Sequence, residues 1–477
     1  MKKNRREFLK LSSLAGMALA VTGISKGNAA EPIENNLDQL SRKLAGSHTQ
    51  RFNMCGYAAP KLDIVRVGFI GLGHRGPTHL VHASKLEGVE IKALCDLRPE
   101  KVNAAKKLIA NTLHNPDIYT GKEDEWKKLC ERKDIDLIYI ATQWGLHTPM
   151  ALYAMKQGKH VAIEVPAATT LEECWQLVKT SESTRKHCMM LENCCYDFFE
   201  LLTLNMARQG FFGEIIHGEG AYIHDLIDLN FSKEYYYDMW RLKENMRNGN
   251  LYPTHGLGPI CQIMDINRGD KMDYLTSVST NDFMMGEKAK ELAAKDNFYK
   301  PYANKRYCGN MNTTTIRTNK GRTIMLQHDV TSPRPYSRIH LVSGTKAFAQ
   351  KYLFPERISV SAAHDEWLSA EEYKKLEEKF APPIVKKLGD MAKEIGGHGG
   401  MDFLMNWRLI DCLRNGLPLD QDVYDAALWS SIAPLSEWSV AHRSNSIDVP
   451  DFTFGSWKSN QPVDILLEKG GTTQVKV

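Results

Sequence analysis

Val65-Arg66-Val67-Gly68-Phe69-Ile70-Gly71-Leu72-Gly73-His74-Arg75-Gly76 is the stretch that decides the fold. Residues 65–70 read as a buried strand, the glycines at 71, 73 and 76 follow at once, and a helical pattern runs from about Thr78 to Leu86. Glycines at this spacing let the chain turn tightly and bring backbone N–H groups and a helix dipole onto a pyrophosphate. A second strand, Val89–Cys95, ends in Asp96, twenty residues past the last glycine. A carboxylate there accepts hydrogen bonds from an adenosine ribose and repels a 2′-phosphate, which favours NAD over NADP. Arg98 is the one neighbour that keeps NADP open.

Downstream, helices are expected near Pro99–Ala110, Glu123–Arg132 and Pro149–Gln157. They alternate with a short strand or turn at Ile118-Tyr119, a strand over Ile135–Ala141 and a strand over His160–Ile163. This rhythm predicts an α/β fold whose N-terminal half, residues 61–195, is a Rossmann-type doubly wound parallel sheet. Residues at the carboxyl ends of its strands face a ligand crevice. That marks Glu164, before Val165-Pro166, and the loop Ala141-Thr142-Gln143-Trp144-Gly145-Leu146-His147. Trp144 and His147 are natural contacts for a nicotinamide ribose, with core packing the alternative for Trp144. His74 and Arg75 sit where phosphates bind, and a solvated loop position is the alternative for His74.

After Tyr196 the texture changes. Strand-like runs at Glu214–Tyr222, Leu275–Asn281, Asn312–Arg317, Thr323–Asp329 and Ser337–Ser343 have few helices between them. Helices are expected at Glu371–Phe380 and Asp402–Arg414. The pattern predicts a second α/β domain, residues 196–477, built on a large, open, mainly antiparallel sheet.

The chain has 477 residues, too many for one core, and 61 basic against 57 acidic side chains give a net charge of +4. The basic residues are scattered, which argues against a nucleic-acid partner. Residues 1–30 read as a removable leader: Lys2, Lys3, Arg5 and Arg6 precede a moderately apolar Leu9–Ile24, and Ala29-Ala30 offers a cleavage site. Asn4-Arg5-Arg6-Glu7-Phe8-Leu9-Lys10 resembles a twin-arginine export signal, with a chance pair in an ordinary signal peptide as the alternative. An exported, periplasmic protein is expected, with residues 31–60 a polar segment on its surface. No other stretch is long and apolar enough to cross a bilayer. The ten cysteines form no C-x-x-C pair, and Cys95, Cys261 and Cys412 lie in apolar runs where a thiol acts as a small hydrophobe. The adjacent Cys194-Cys195 is the one candidate redox pair. Free thiols suit folding and cofactor loading in the cytoplasm before export. Nothing in the pattern calls for a metal, and a homo-oligomer stays open.

The glycine motif, Asp96, the Ala141–His147 loop and Glu164-x-Pro166 together resemble the Gfo/Idh/MocA oxidoreductases, which pair a Rossmann domain with an open-sheet domain. Dehydrogenases of that family carry Glu-Lys-Pro where this chain has Glu164-Val165-Pro166, and an Asp four residues before a catalytic His. The matching histidine is His255, and Leu251 stands where the Asp would be. The stretches GLGHRG, HVAIEVPAA, ENCCY, NLYPTHGLGP and GGHGGMDF, spread over nearly the whole chain, resemble the branch called glycoside hydrolase family 109, the NAD-dependent α-N-acetylgalactosaminidases.

The resemblance implies a tightly bound, recycled NAD touched by His74, Arg75, Gly76, Asp96, Trp144, Gly145, Leu146, His147, Glu164, Val165 and Asn193, beside the glycine turn of Gly71 and Gly73. It implies a glycan substrate bearing terminal α-linked N-acetylgalactosamine, bound by Tyr222, Arg241, Tyr252, Pro253, Thr254, His255 and Tyr336. The implied cycle oxidises C3 of the sugar, eliminates the aglycone after loss of the C2 proton, adds water and reduces C3 again. His255 is the candidate base at the C3 hydroxyl, and Tyr252 or Tyr196 the candidate at C2. Arg241 would anchor the sugar through its planar fork. His398, between paired glycines, either closes the site or lies on a surface loop. An NAD-linked sugar dehydrogenase and a non-catalytic sugar-binding protein are the rival readings.

Overall fold

The computed structural model describes residues 37–363 and 365–476, so the expected leader peptide lies outside the described residues. These described residues form one compact unit.

The first sheet has six parallel strands: β1 Val65–Ile70, β2 Val89–Asp96, β3 Asp117–Thr120, β4 Leu137–Ile140, β5 His160–Ile163 and β6 Cys188–Met190. Their order is β3-β2-β1-β4-β5-β6. The winding reverses between β1 and β4, and a crevice opens outside their carboxyl ends. Strands β4 and β5 are buried along their whole length, as strands covered by helices on both faces must be. Two elements depart from expectation. The helix after β4 starts at Trp144 and holds Pro149 inside it, so the Trp144–His147 segment is helical from its first residue. The helix Leu171–Thr184 and strand β6 were not foreseen; a capping box starts the helix, Thr170 accepting from the Glu173 N–H while Glu173 accepts from the Thr170 N–H.

The second sheet has eight strands: β7 Ile215–Ile223, β8 Met272–Ser279, β9 Asn312–Thr318, β10 Thr323–Asp329, β11 Leu341–Gly344, β12 Ala347–Gln350, β13 Arg357–Val360 and β14 Ile447–Asp448. The order is β13-β12-β11-β7-β10-β9-β8-β14, and every neighbouring pair is antiparallel except β7 with β10. The expected strand at Ser337–Ser343 is confined to β11, with Ser337 making a single bridge to Ile223. Helices are more abundant here than the sequence suggested, among them Phe198–Arg208, Thr254–Ile263, Met285–Lys295, Pro383–Ile395 and Val423–Ala441.

Helix Thr254–Ile263 lies on β7 almost backbone to backbone. A Cβ on Gly220 would fall 2.4 Å from the Gly256 carbonyl oxygen, and one on Gly256 would fall 2.2 Å from the Ala221 nitrogen. That contact fixes His255 beside Tyr222. Helix Val423–Ala441 packs on both β8 and helix Leu171–Thr184, tying the two sheets together. The segment expected to lie on the surface is tied in as well. Residues Leu37–Gly46 are helical, His48 packs on Trp175 with ring centroids 5.1 Å apart, and Met54 and Ala59 are buried. All ten cysteines are free and nine are buried, so Cys194-Cys195 is not a disulfide.

Candidate active site

A cavity of about 910 Å³ opens at the carboxyl ends of the first sheet and is closed on its far side by β7 and helix Thr254–Ile263. Its floor is the glycine turn. Gly71 has φ +91°, and a Cβ there would fall 2.4 Å from the Ala141 carbonyl oxygen, so the turn packs directly on the end of β4. A Cβ on Gly76 would fall 2.0 Å from the Gly71 oxygen. Gly73 faces open space, with only an Arg98 guanidinium nitrogen at 4.0 Å. Asp96 braces the turn, accepting from the Leu72 N–H at 2.8 Å and the Arg98 N–H at 3.0 Å, while still lining the cavity. An open cradle over a helix N-terminus with an acidic wall fits a dinucleotide: pyrophosphate over Gly73, ribose at Asp96.

The expected cofactor residues divide by how free their side chains are. Glu164 lines the cavity, yet one carboxylate oxygen accepts from Arg75 Nε and His79 Nε2, each at 2.8 Å, and the other from the Val165 N–H at 3.1 Å. Burial alone would raise its pKa, but Arg75 and His79 outweigh burial and hold the carboxyl well below its usual range. His147 is pinned between the Pro166 and Thr142 carbonyl oxygens at 2.7 and 3.0 Å, so its task is to fix the loop. His74 stacks on Tyr235 at 4.0 Å and its Nε2 lies 2.7 Å from the Tyr235 carbonyl, which occupies the ring expected at the phosphates. Trp144, Leu146, Val165 and Asn193 line the cavity. Gly76 and Gly145 act through the backbone, one in the glycine turn and the other in the first turn of the helix from Trp144.

On the opposite wall Arg241 sits in an aromatic box. Its guanidinium carbon is 5.1 Å from the Trp144 ring, 5.2 Å from Tyr252, 5.5 Å from Tyr236 and 6.0 Å from Tyr222. Burial pushes the Tyr222 phenol up to about 12 against the opposing pull of Arg241, and pushes Tyr252 well above its ordinary value. Tyr252 is therefore a protonated phenol in this site, on the cavity wall with its ring centroid 4.9 Å from that of His255. Tyr196 is the candidate the structure removes. It is fully buried off the cavity with its hydroxyl donated to Asp420 at 3.2 Å. Pro253 and Thr254 are buried at the start of the helix and do not line the cavity, and Tyr336 stands just outside, 5.0 Å from the His224 ring.

His255 is on the cavity wall, and its Nδ1 lies 2.7 and 3.0 Å from the two carboxylate oxygens of Glu192. Glu192 has no exposed surface. Burial would raise its pKa, but the interaction with His255 holds it below the ordinary value, so the carboxylate stays ionised behind the imidazole. The arrangement fixes an N–H on Nδ1 and leaves Nε2 for a substrate proton. Sequence reasoning missed Glu192, although the signal is the one that flagged Glu164: an acid just past the carboxyl end of a strand, here the unrecognised β6. It also missed His224, whose Nδ1 is 3.1 Å from the Tyr222 hydroxyl, and Asp402, which binds Asn193, Arg75 and His398.

Residues 65–192 match the model of the oxidoreductase family, NAD-binding Rossmann fold, and residues 196–459 match that of glycosyl hydrolase 109, C-terminal domain. A Bacteroides fragilis protein called alpha-N-acetylgalactosaminidase is 52% identical over 412 residues, covering 85% of this chain and 96% of the relative. A second from that species, glycosyl hydrolase family 109 protein 1, is 48% identical over 456 residues, covering 92% and 96%. Among solved structures, an oxidoreductase domain protein from Kribbella flavida superposes with a TM-score of 0.60 at 15% identity, covering 81% of this chain and all of the other, a likeness of fold. With its dinucleotide turn and His255, backed by the buried Glu192, on one cavity, the chain belongs to glycosyl hydrolase family 109 and carries an NAD-binding Rossmann half.

Proposed function

We propose that this chain removes terminal α-linked N-acetylgalactosamine from glycans by a cycle that oxidises and re-reduces the sugar without net redox change. The observation that carries the reading is His255, held from behind by Glu192, on the same cavity as the dinucleotide turn, with Val165 and Leu251 where a dehydrogenase has lysine and aspartate. The name of the 52% identical relative supports the choice of sugar.

When bound, NAD supplies the acceptor for the C3 hydrogen and returns it at the end of the cycle. His255 Nε2 takes the C3 hydroxyl proton, with Glu192 stabilising the imidazolium. Arg241 presents its guanidinium fork to the sugar oxygens from within the aromatic box. Tyr252, held protonated, donates a hydrogen bond to the sugar. Tyr222 near the end of β7 and His224 just past it, hydrogen-bonded to each other beside His255, would meet the C2 proton. Incubating the purified protein, with no added NAD, with an aryl α-N-acetylgalactosaminide in deuterated water tests the whole. Aglycone release with deuterium at C2 is expected. NADH accumulation would indicate a dehydrogenase, and no reaction a binding protein.

The same reading includes export through the twin-arginine route to the periplasm, supported by Arg5-Arg6-Glu7-Phe8-Leu9-Lys10 and by ten free cysteines in a protein with no disulfide to form. No described helix is long and apolar enough to cross a membrane. Replacing Arg5 and Arg6 with lysine should leave the enzyme in the cytoplasm, and unchanged periplasmic activity would sink the assignment.

A further inference from the structure

The cavity wall continues outside the site as a line of rings. Tyr222 and His224 stand on that wall, and the Tyr222 ring is 5.5 Å from that of His255. The Tyr336 ring, 39% exposed, lies 6.4 Å from Tyr222 and 5.0 Å from His224. Beyond it comes Tyr352 at 6.3 Å, and beyond that Phe354 at a further 5.0 Å. Tyr352 and Phe354 belong to the loop 351–356, which joins β12 to β13 at the edge of the second sheet. Its tip, Leu353-Phe354-Pro355, is bare: Leu353 is 79% exposed and Phe354 62%. Adjacent large apolar side chains turned to water cost free energy, and such a patch marks a surface that meets something.

The tip is held in place from beneath. Tyr352 is buried, with the Arg338 guanidinium 5.8 Å and the Lys351 ammonium 5.9 Å from its ring. Both cations are buried and tied to the same two carboxylates. Arg338 binds Asp197 and, at 2.9 Å, Glu200, while Lys351 binds Asp197 at 2.6 Å and Glu200 at 2.9 Å. Gln350 Nε2 donates to the Tyr352 carbonyl at 2.6 Å. A surface fixed in this way loses little freedom when a ligand settles on it. The dinucleotide end of the cavity, in contrast, is already spanned by protein. Tyr235 stacks there on His74, and Tyr237 lies 4.7 Å from the Arg98 guanidinium.

Resting on the glycosidase reading above, we propose that Tyr336 and the Leu353–Phe354 tip form a platform for the sugars that follow the terminal one in a glycan. A chain attached to a sugar at His255 leaves the cavity past Tyr336, because the opposite end is spanned. The face of an aromatic ring is negative and attracts the polarised C–H groups on one side of a pyranose, while the hydroxyls of that sugar stay in water. The substrate residues implied by the family resemblance stop at Tyr336, and the platform adds Leu353 and Phe354. It acts on binding alone and takes no part in the bond changes at C1, C2 and C3. Its effect is selectivity for extended glycans over glycosides that end at the first aglycone atoms.

The test compares methyl α-N-acetylgalactosaminide with a linear trisaccharide ending in the same α-linked sugar. The ratio of their kcat/KM values is measured for the wild type, Phe354→Ala, Leu353→Ser and Phe354→Trp. The wild type should favour the trisaccharide. Phe354→Ala should lower that preference about tenfold, Leu353→Ser should lower it less, and Phe354→Trp should keep it. A wild type that cleaves both substrates without preference, or a preference unaltered in Phe354→Ala and Leu353→Ser, would overturn the platform alone. Sedimentation of the same variants, by themselves and with phosphatidylglycerol vesicles, then shows whether the tip serves a second copy of the chain or a lipid surface. Release of sugar from neither substrate by the wild type would overturn the glycosidase reading and the platform with it.

Discussion

Glu192 leaves the end of the parallel sheet and His255 starts a helix laid on the other sheet, yet both carboxylate oxygens of Glu192 lie within 3.0 Å of His255 Nδ1. The pair predicts a graded loss. His255→Ala should lower kcat about 1,000-fold, within the range of a lost general base, with NAD still bound. Glu192→Gln, which keeps the shape but not the charge, should cost about 100-fold. Both are read by steady-state release of an aryl aglycone, and a fully active His255→Ala protein would remove this histidine from the mechanism.

The glycine turn predicts a split between two apparently equivalent changes. Gly73→Ala places its methyl in open space and should fold with unchanged Tm, but crowd the pyrophosphate and lose NAD on purification. Gly76→Ala drives its methyl onto the Gly71 oxygen and should fold poorly or not at all. Thermal denaturation and released-NAD absorbance on the two variants separate cofactor contact from backbone fit. Equal NAD content in Gly73→Ala and wild type would refute the proposed cradle.

Arg241 predicts a change in binding more than in chemistry. Lysine in its place keeps the charge among Trp144, Tyr236 and Tyr252 but loses the planar fork. Arg241→Lys should raise KM about tenfold, the worth of one good hydrogen bond, with a smaller fall in kcat. Unchanged KM would show that the sugar does not meet this residue.

Buried histidines predict acid lability. Burial lowers His82, His328 and His340 from 6.5 to about 4, and His187 to about 3. Between pH 6.5 and 4 the unfolded chain takes up protons at these sites while the folded one does not, so stability falls as pH drops through that window. Each site contributes a loss of about 2 kcal/mol by pH 5, and four together approach the stability of a typical domain. Tm measured from pH 7 to 5 should fall steeply, and a flat profile would mean the imidazoles find acceptors that hold their protons in the fold.

What the sequence disclosed follows from how each element is buried. Strands β1, β2 and β5 read clearly because they are mostly apolar, broken only at Arg66, Glu90, Lys92 and His160, and are ended by a glycine turn, an Asp and a Glu. Strand β6 is three residues long and has no such punctuation, so Glu192 behind it went unseen. Helix Val423–Ala441 is buried on nearly every side, which erases the period by which an amphipathic helix is recognised. Tyr196 looked as reactive as Tyr252 because a chain does not say which side of a short turn meets the cavity. His255 and Arg241 stood out only through the family resemblance, and their partners Glu192 and Tyr236 only through the structure.

Just past strand β6, two consecutive residues reach across the molecule: Glu192 to His255 and Asn193 to Asp402. The matched Rossmann segment ends at residue 192 and the matched hydrolase segment begins at 196, so the first bond runs between the two halves and the second ties the joint between them to the hydrolase half. Genes of this family are therefore poor material for recombination at that junction. A chimera that inherits its two halves from different parents works only if both parents agree on residues 192, 193, 255 and 402, however well each half folds.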